Sequence, residues 1–215
     1  MELEHKRIGR LHVITDTTLQ ERYTHAQLAE LAIRGGADTI QYRSKSDDVR
    51  LMIREAEEVA EICRRFNVTF LVNDRVDICQ AVDADGVHLG RGDMPVPIAR
   101  KILGPQRIIG ATVRSPEHLH EAVRESADYA GLGPVFGTTS KQVGLEPLGL
   151  DMVERVCRDA AIPVIGIAGI TADNAASVVR AGAHGVAVIG AVCCADDVVA
   201  AAAAIAGRLG NGRGQ

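Results

Sequence analysis

From Val72 to Pro95 the chain reads V-N-D-R-V-D-I-C-Q-A-V-D-A-D-G-V-H-L-G-R-G-D-M-P. Two apolar runs fit strands, Phe70 to Val72 and Val87 to Leu89, and each gives way to an acid, Asp74 after the first and Asp93 just past the second. A carboxylate just beyond a buried strand contributes nothing to packing but is well placed to hold a cation at the mouth of a parallel sheet. Asp74 and Asp93 are therefore candidate ligands of one shared metal ion.

Working outward, the same alternation fills the chain. Leu11 to Thr15 fits a first strand, with Asp16 at its end. Thr24 and Gln27 resemble a capping box, a stripe of Leu28, Leu31 and Ala32 follows, and Gly35-Gly36 ends that helix. A second strand is expected over 38–43, a long helix capped within Ser46 to Asp48 and reaching about Phe66, and a third strand over 69–72. Further strands are expected at 86–89, 108–112, 129–135, 164–167 and 185–189. Helices are expected near 95–103, 115–125, 149–160 and 172–181, with an Ala-rich one near 195–208.

Four short stretches open strands alike: G-A-D-T-I at 36–40, D-A-D-G-V at 83–87, S-A-D-Y-A at 126–130 and G-A-H-G-V at 182–186. Eight similar strand-helix units with near-continuous apolar strands predict an α/β fold, a single (β/α)8 TIM barrel over 1–215 with short flexible tails at 1–9 and 208–215. A doubly wound open sheet is the alternative, but no G-x-G-x-x-G follows the first strand.

Composition narrows the function classes. A chain of 215 residues that is 47% hydrophobic can bury a large core, and with 3% aromatics and no Trp that core must be aliphatic. A formal charge of -4 gives no general attraction to nucleic acid or to an anionic membrane. Five cysteines without a C-x-x-C pair fit buried reduced thiols in a cytoplasmic protein. No apolar run suits a signal peptide or a membrane span. No P-loop, G-x-S-x-G elbow or H-E-x-x-H occurs, and His118 and His120, two apart on a helix, do not share a face.

In a barrel, the polar residues at the C-terminal ends of the strands form the active face. Strand two ends I-Q-Y-R-S-K, where period two puts Gln41 and Arg43 on one side with Lys45 beyond. Strand three ends in Asn73-Asp74, strand four leads to Asp93 and strand five ends in Thr112. Asp93 could instead cap the helix that begins near Pro95. After strand six, Thr138, Thr139, Ser140 and Lys141 offer three hydroxyls and an ammonium, suited to an anion or to an ordinary turn. Gly166 to Ile170 and Val188 to Gly190 lie after strands seven and eight, where barrels often bind phosphate on backbone amides.

Taken together, L-H-V-I-T-D, I-Q-Y-R-S-K, V-N-D-R-V-D, A-D-G-V-H-L-G-R-G-D-M-P, A-D-Y-A-G-L-G-P-V-F-G-T-T-S-K, P-V-I-G-I-A-G-I and G-V-A-V-I-G-A resemble the thiamine-phosphate synthase family over about residues 11 to 192. The resemblance implies a (β/α)8 enzyme that joins 4-amino-5-hydroxymethyl-2-methylpyrimidine diphosphate to a thiazole phosphate with Mg2+. It implies that Gln41, Arg43, Lys45, Asn73 and Lys141 hold the pyrimidine diphosphate, Asp74 and Asp93 its magnesium, and Thr112 the diphosphate. Thr138 and Ser140 would meet the thiazole phosphate, its phosphate resting on amides around Gly169, Ile189 and Gly190. Lys141, Arg43 and Thr112 are the catalytic candidates. Barrels of this kind often pair, so a homo-oligomer is an expectation as well.

Three positions depart from the family pattern: Arg114 stands where His is usual, Arg91 where Gln is, and Gly190 where Ser is common. Two alternatives follow the resemblance. A thiazole tautomerase of the same fold is expected to use a histidine at the position of Arg114. A non-catalytic thiamine-phosphate sensor would not need Asp74, Asp93 and Lys141 together.

Overall fold

A strand that is apolar along its whole length must be covered on both faces, and parallel pairing through helical crossovers supplies that cover. The structure, a computed structural model, describes residues 8–137 and 145–210. Its strands are β1 (Leu11–Thr15), β2 (Thr39–Tyr42), β3 (Thr69–Asn73), β4 (Gly86–Leu89), β5 (Ile108–Val113), β6 (Tyr129–Leu132), β7 (Val164–Ile167) and β8 (Gly185–Val188). They pair in parallel in sequence order, and β8 returns to β1 to close a barrel. The open-sheet alternative is thereby removed.

The helices are α1 (His25–Arg34), α2 (Val49–Phe66), α3 (Val76–Ala81), α4 (Val96–Leu103), α5 (Pro116–Arg124), α6 (Gly149–Cys157), α7 (Ala175–Arg180), α8 (Gly190–Cys193) and α9 (Val198–Ala206). Thr24 and Gln27 form the expected capping box. Asp48 caps α2 by accepting from the backbone N–H groups of Arg50 and Leu51. Two short helices, α3 and α8, lie outside the sequence expectations. With six and four residues they span about one to two turns, too few for a 3.6-residue period to show. The sixth strand ends at Leu132 rather than Val135, because Gly133-Pro134 follows and proline has no N–H for the ladder.

Period two divides each strand between two cores. Val13, Ile40, Val72, Val87 and Ile109 face outward and pack with helix residues such as Leu28 and Val59. Ile14, Leu71, Ile108, Tyr129, Ile165, Ala187 and Ile189 fill the barrel interior. Among the described residues no helix is long and apolar enough to cross a membrane.

The recurrent A-D opening acquires a physical cause. Asp38 accepts from the backbone N–H groups of Arg10 and Leu11 at 2.9 and 2.8 Å. Asp85 accepts from Phe70 N at 2.8 Å, and Asp128 from Ile109 N at 2.6 Å. Each acid before an even strand thus caps the neighbouring odd strand at the bottom of the barrel. The fourth copy carries His184, whose ring bonds the carbonyl of Ile8 at 3.0 Å. Replacing Asp85 by Ala should leave the buried Phe70 N–H without this acceptor and lower stability by roughly 1–3 kcal/mol, read from the urea midpoint.

The packed region extends further than the expected tails. Ile8 accepts that bond from His184, Leu209 is buried, and Gly210 O accepts from Arg10 Nη1 at 2.7 Å. Residues 8–9 and 208–210 are thus held to the bottom of the barrel by side chains from β1 and β8 and their approaches.

Candidate active site

Inward-facing residues of the strands, with the loops after β6 and β7, enclose a cavity of about 320 Å3. Its lining includes His12, Gln41, Asn73, His88, Thr112 and Tyr129, together with Phe136, Leu145 and Ile167. The space depends on two small inward positions. A Cβ at Gly110 would stand 2.2 Å from the Tyr129 ring, and one at Gly131 would stand 2.7 Å from the His88 ring. Glycine there lets both rings lie across the barrel.

These rings form a chain of hydrogen bonds. His88 Nδ1 meets the Tyr129 hydroxyl at 2.9 Å and its Nε2 meets Thr112 Oγ1 at 3.0 Å. Burial pushes the Tyr129 phenol far above its ordinary value, so it stays protonated. When that phenol donates to Nδ1, Nε2 carries the proton and donates to Thr112, leaving the Thr112 O–H for a ligand. His12 lies edge-on to Tyr129 and bonds the carbonyl of Gly9 at 3.1 Å. Burial lowers its pKa to about 4, so it is neutral near pH 7.

Gln41 is 3% exposed, and its Oε1 has no partner among the described residues. A buried carbonyl left open toward a cavity suits a ligand N–H. Asn73 lines the same cavity one strand away, where Gln41 pairs with Leu71 in the ladder.

Arg43 sits one period above Gln41 but engages a different group. Its Nη1 donates to Asp16 Oδ2, while its Nε is buried without a partner among the described residues. Asp16, immediately after β1, is 1% exposed and its Oδ1 accepts from Thr18 N at 2.9 Å and Thr18 Oγ1 at 2.6 Å. Burial lowers the Arg43 pKa, and the nearby charge of Asp74 opposes that shift. Asp74 follows β3 in a left-handed conformation, φ 65°, and its N–H donates to His88 O at 2.8 Å.

Asp93 does not cap α4. Pro95 is the N-cap and makes no side-chain cap bond. Asp93 instead closes its own turn, its Oδ2 accepting from Gly90 N at 2.6 Å and its N–H donating to Gly90 O at 3.1 Å. One carboxylate oxygen so engaged leaves the other for a ligand. Among the described residues no group of three or more His, Cys, Asp or Glu could enclose a metal. Two carboxylates on adjacent strand ends fit a hard cation that takes its remaining oxygens from water and substrate.

Lys45 is exposed beyond β2. Thr138, Ser140 and Lys141 lie outside the described residues. Gly169, φ 66°, packs so closely on the β6 loop that a Cβ would stand 2.4 Å from Gly137 O. Asn174 fastens that turn by donating to Gly169 O at 2.9 Å. Ile189 is buried and Gly190, partly buried, starts α8. Of the departures, Arg114, partly buried, donates to Glu146 O at 3.2 Å, and Arg91 faces Glu121 at 3.7 Å, those two side chains about half exposed.

Sequence reasoning missed Asp16, His12, His88 and Tyr129 as site residues. Asp16 carried a usable signal, since it is an acid at a strand end like Asp74.

A family profile described as thiamine monophosphate synthase matches residues 11–192. The thiamine-phosphate synthase of Salinibacter ruber is 52% identical over 187 residues, covering 87% of this chain and 82% of its own length. That of Chloroflexus aurantiacus is 46% identical over 202 residues, covering 94% and 93%. Among solved structures, the thiamine phosphate pyrophosphorylase from Pyrococcus furiosus superposes with a TM-score of 0.85 at 39% identity, covering 93% of this chain and 95% of that one.

Proposed function

The chain belongs to the thiamine monophosphate synthase family, and on that premise we propose how its barrel mouth carries out the family reaction. The enzyme is a transferase that joins 4-amino-5-hydroxymethyl-2-methylpyrimidine diphosphate to thiazole phosphate, giving thiamine phosphate and diphosphate. The observation that carries the assignment of roles is a pair of buried atoms with no partner among the described residues, Gln41 Oε1 and Arg43 Nε. One suits the amino group of a pyrimidine and the other an oxygen of its diphosphate.

In this proposal the pyrimidine enters the apolar cavity, where Gln41 and Asn73 orient it and the Thr112 hydroxyl donates toward the diphosphate. Arg43, Lys45 and Lys141 meet the leaving group. Their charge stabilises the diphosphate more as its C–O bond breaks than before, which is what lowers a barrier. The methylene carbon left behind is a cation delocalised into the aminopyrimidine, and the thiazole nitrogen then attacks it to form the C–N bond. No enzyme nucleophile takes part. Thr138 and Ser140 meet the thiazole phosphate, with its phosphate on backbone amides around Gly169, Ile189 and Gly190.

Asp74 and Asp93 would hold Mg2+, which when bound supplies positive charge to the departing diphosphate. The other partners are small molecules. The absence of a general basic charge argues against nucleic acid, and the thiols, three of them buried, fit a reducing cytoplasm. Pairing of two barrels is proposed with no face assigned.

The alternatives predict different products. A tautomerase would convert its thiazole without the pyrimidine, and a sensor would bind without turnover. Mixing the protein with both substrates and Mg2+ should release diphosphate and thiamine phosphate in equal amounts. Binding without either product would reject the synthase assignment.

A further inference from the structure

We infer that Asp16 is a positioning residue for the diphosphate site, setting the guanidinium of Arg43 so that its Nε–H is kept for a substrate oxygen. The inference rests on the proposed role of Arg43 and extends it to a residue outside the cavity lining.

Asp16 and Arg43 each follow a strand on neighbouring staves of the barrel, and the backbone fixes their separation. Ile14 is opposite Gln41 and Thr15 opposite Tyr42 in the ladder, and Arg43 N donates to Thr15 O at 3.2 Å. Asp16 is held in turn at both ends. Its Oδ1 takes two bonds from Thr18, while Oδ2 takes Arg43 Nη1. A carboxylate so fully engaged has little rotameric freedom, and a planar guanidinium fixed at one nitrogen has the direction of its other donors fixed as well.

The second observation is what remains unused. Arg43 is 6% exposed, yet its Nε has no acceptor among the described residues. A side-on fork would have used Nε and Nη2 together, but Asp16 is met by Nη1, on the far side of the guanidinium from Nε–H, and turns its other oxygen to Thr18. The arrangement gives up one bond of a charged group in the resting protein, and a diphosphate oxygen would restore it. Asp16 and Asp74 together also keep that cation charged in a buried place, one by direct pairing and one by its field.

Asp16→Asn keeps the size and a hydrogen-bonding oxygen but loses the charge that orients Arg43. Its kcat should fall roughly ten- to hundredfold, while KM for thiazole phosphate stays unchanged. In an Arg43→Ala background the same substitution should cost less than about twofold, because its effect passes through Arg43. Damage to the fold would give equal losses in both backgrounds, and that result would overturn the inference, as would an unchanged kcat in Asp16→Asn.

A second measurement does not depend on turnover. The Nε–H resonance of Arg43, assigned by its loss in Arg43→Ala, should shift when inorganic diphosphate and Mg2+ are added to the wild-type chain, and should be broadened in Asp16→Asn. No shift, or an identical sharp signal in Asp16→Asn, overturns the inference. A shift in a protein that makes no thiamine phosphate rejects the synthase assignment and leaves this role for Asp16 standing.

Discussion

Replacing Arg43 by Ala is expected to lower diphosphate release by roughly ten- to hundredfold and to weaken the fold at the same time. The activity loss follows from removing the charge-assisted Nε–H bond to the leaving group, worth roughly 1.5–3 kcal/mol, at about 1.4 kcal/mol per factor of ten. The stability loss follows from Asp16, which stays buried and charged after its partner has gone. Removing one member of a buried pair costs about 3–5 kcal/mol, and the two bonds from Thr18 place this case toward the lower end. For a chain of this size that corresponds to a fall in Tm of roughly 6–12 °C. The double variant Asp16→Asn with Arg43→Ala should recover part of the Tm and none of the activity. A single Arg43→Ala variant with wild-type Tm, or with turnover within threefold of wild type, would remove the ion pair from its assigned place.

The fold was readable because every strand is a short apolar run with a turn signal on each side, and because the A-D openings recur at the even strands. What those openings do was not readable. Asp38, Asp85 and Asp128 bond to N–H groups 15 to 28 residues earlier in the chain, and only the pairing of neighbouring parallel strands brings those partners together. The rim of the candidate site was legible by a simple rule, a polar residue in the last positions of an apolar strand or just past it, which finds Gln41, Arg43, Asn73, Asp74 and Thr112. Its floor was not. His88 and Tyr129 sit within apolar strands, where a lone polar ring looks like core packing, and their bonds to each other and to Thr112 cross 41 and 24 residues. Gly110 and Gly131 hide the same fact, since a glycine in a strand says nothing about the ring that occupies its space.

Asp74→Asn tests the metal separately from the cations. Asp74 and Asp93 come from the ends of adjacent strands, and Asp93 already uses one oxygen on Gly90 N. Asparagine keeps the size and a neutral oxygen, so substrate-independent packing changes little, while half of the formal negative charge offered to the cation is lost. The Mg2+ concentration for half-maximal rate should therefore rise between roughly tenfold and a thousandfold, and kcat at saturating Mg2+ should fall less than that. Arg43 supplies a check on specificity: the charge of Asp74 opposes the burial-driven fall of its pKa, yet Asp16 remains as its direct partner. Asp74→Asn should thus leave Tm nearly unchanged, in contrast to Arg43→Ala. An unaltered Mg2+ dependence would separate Asp74 from the cation and leave it as a field acting on Arg43. A large fall in Tm with normal Mg2+ dependence would instead assign it to holding the β3 turn, where its N–H meets His88 O.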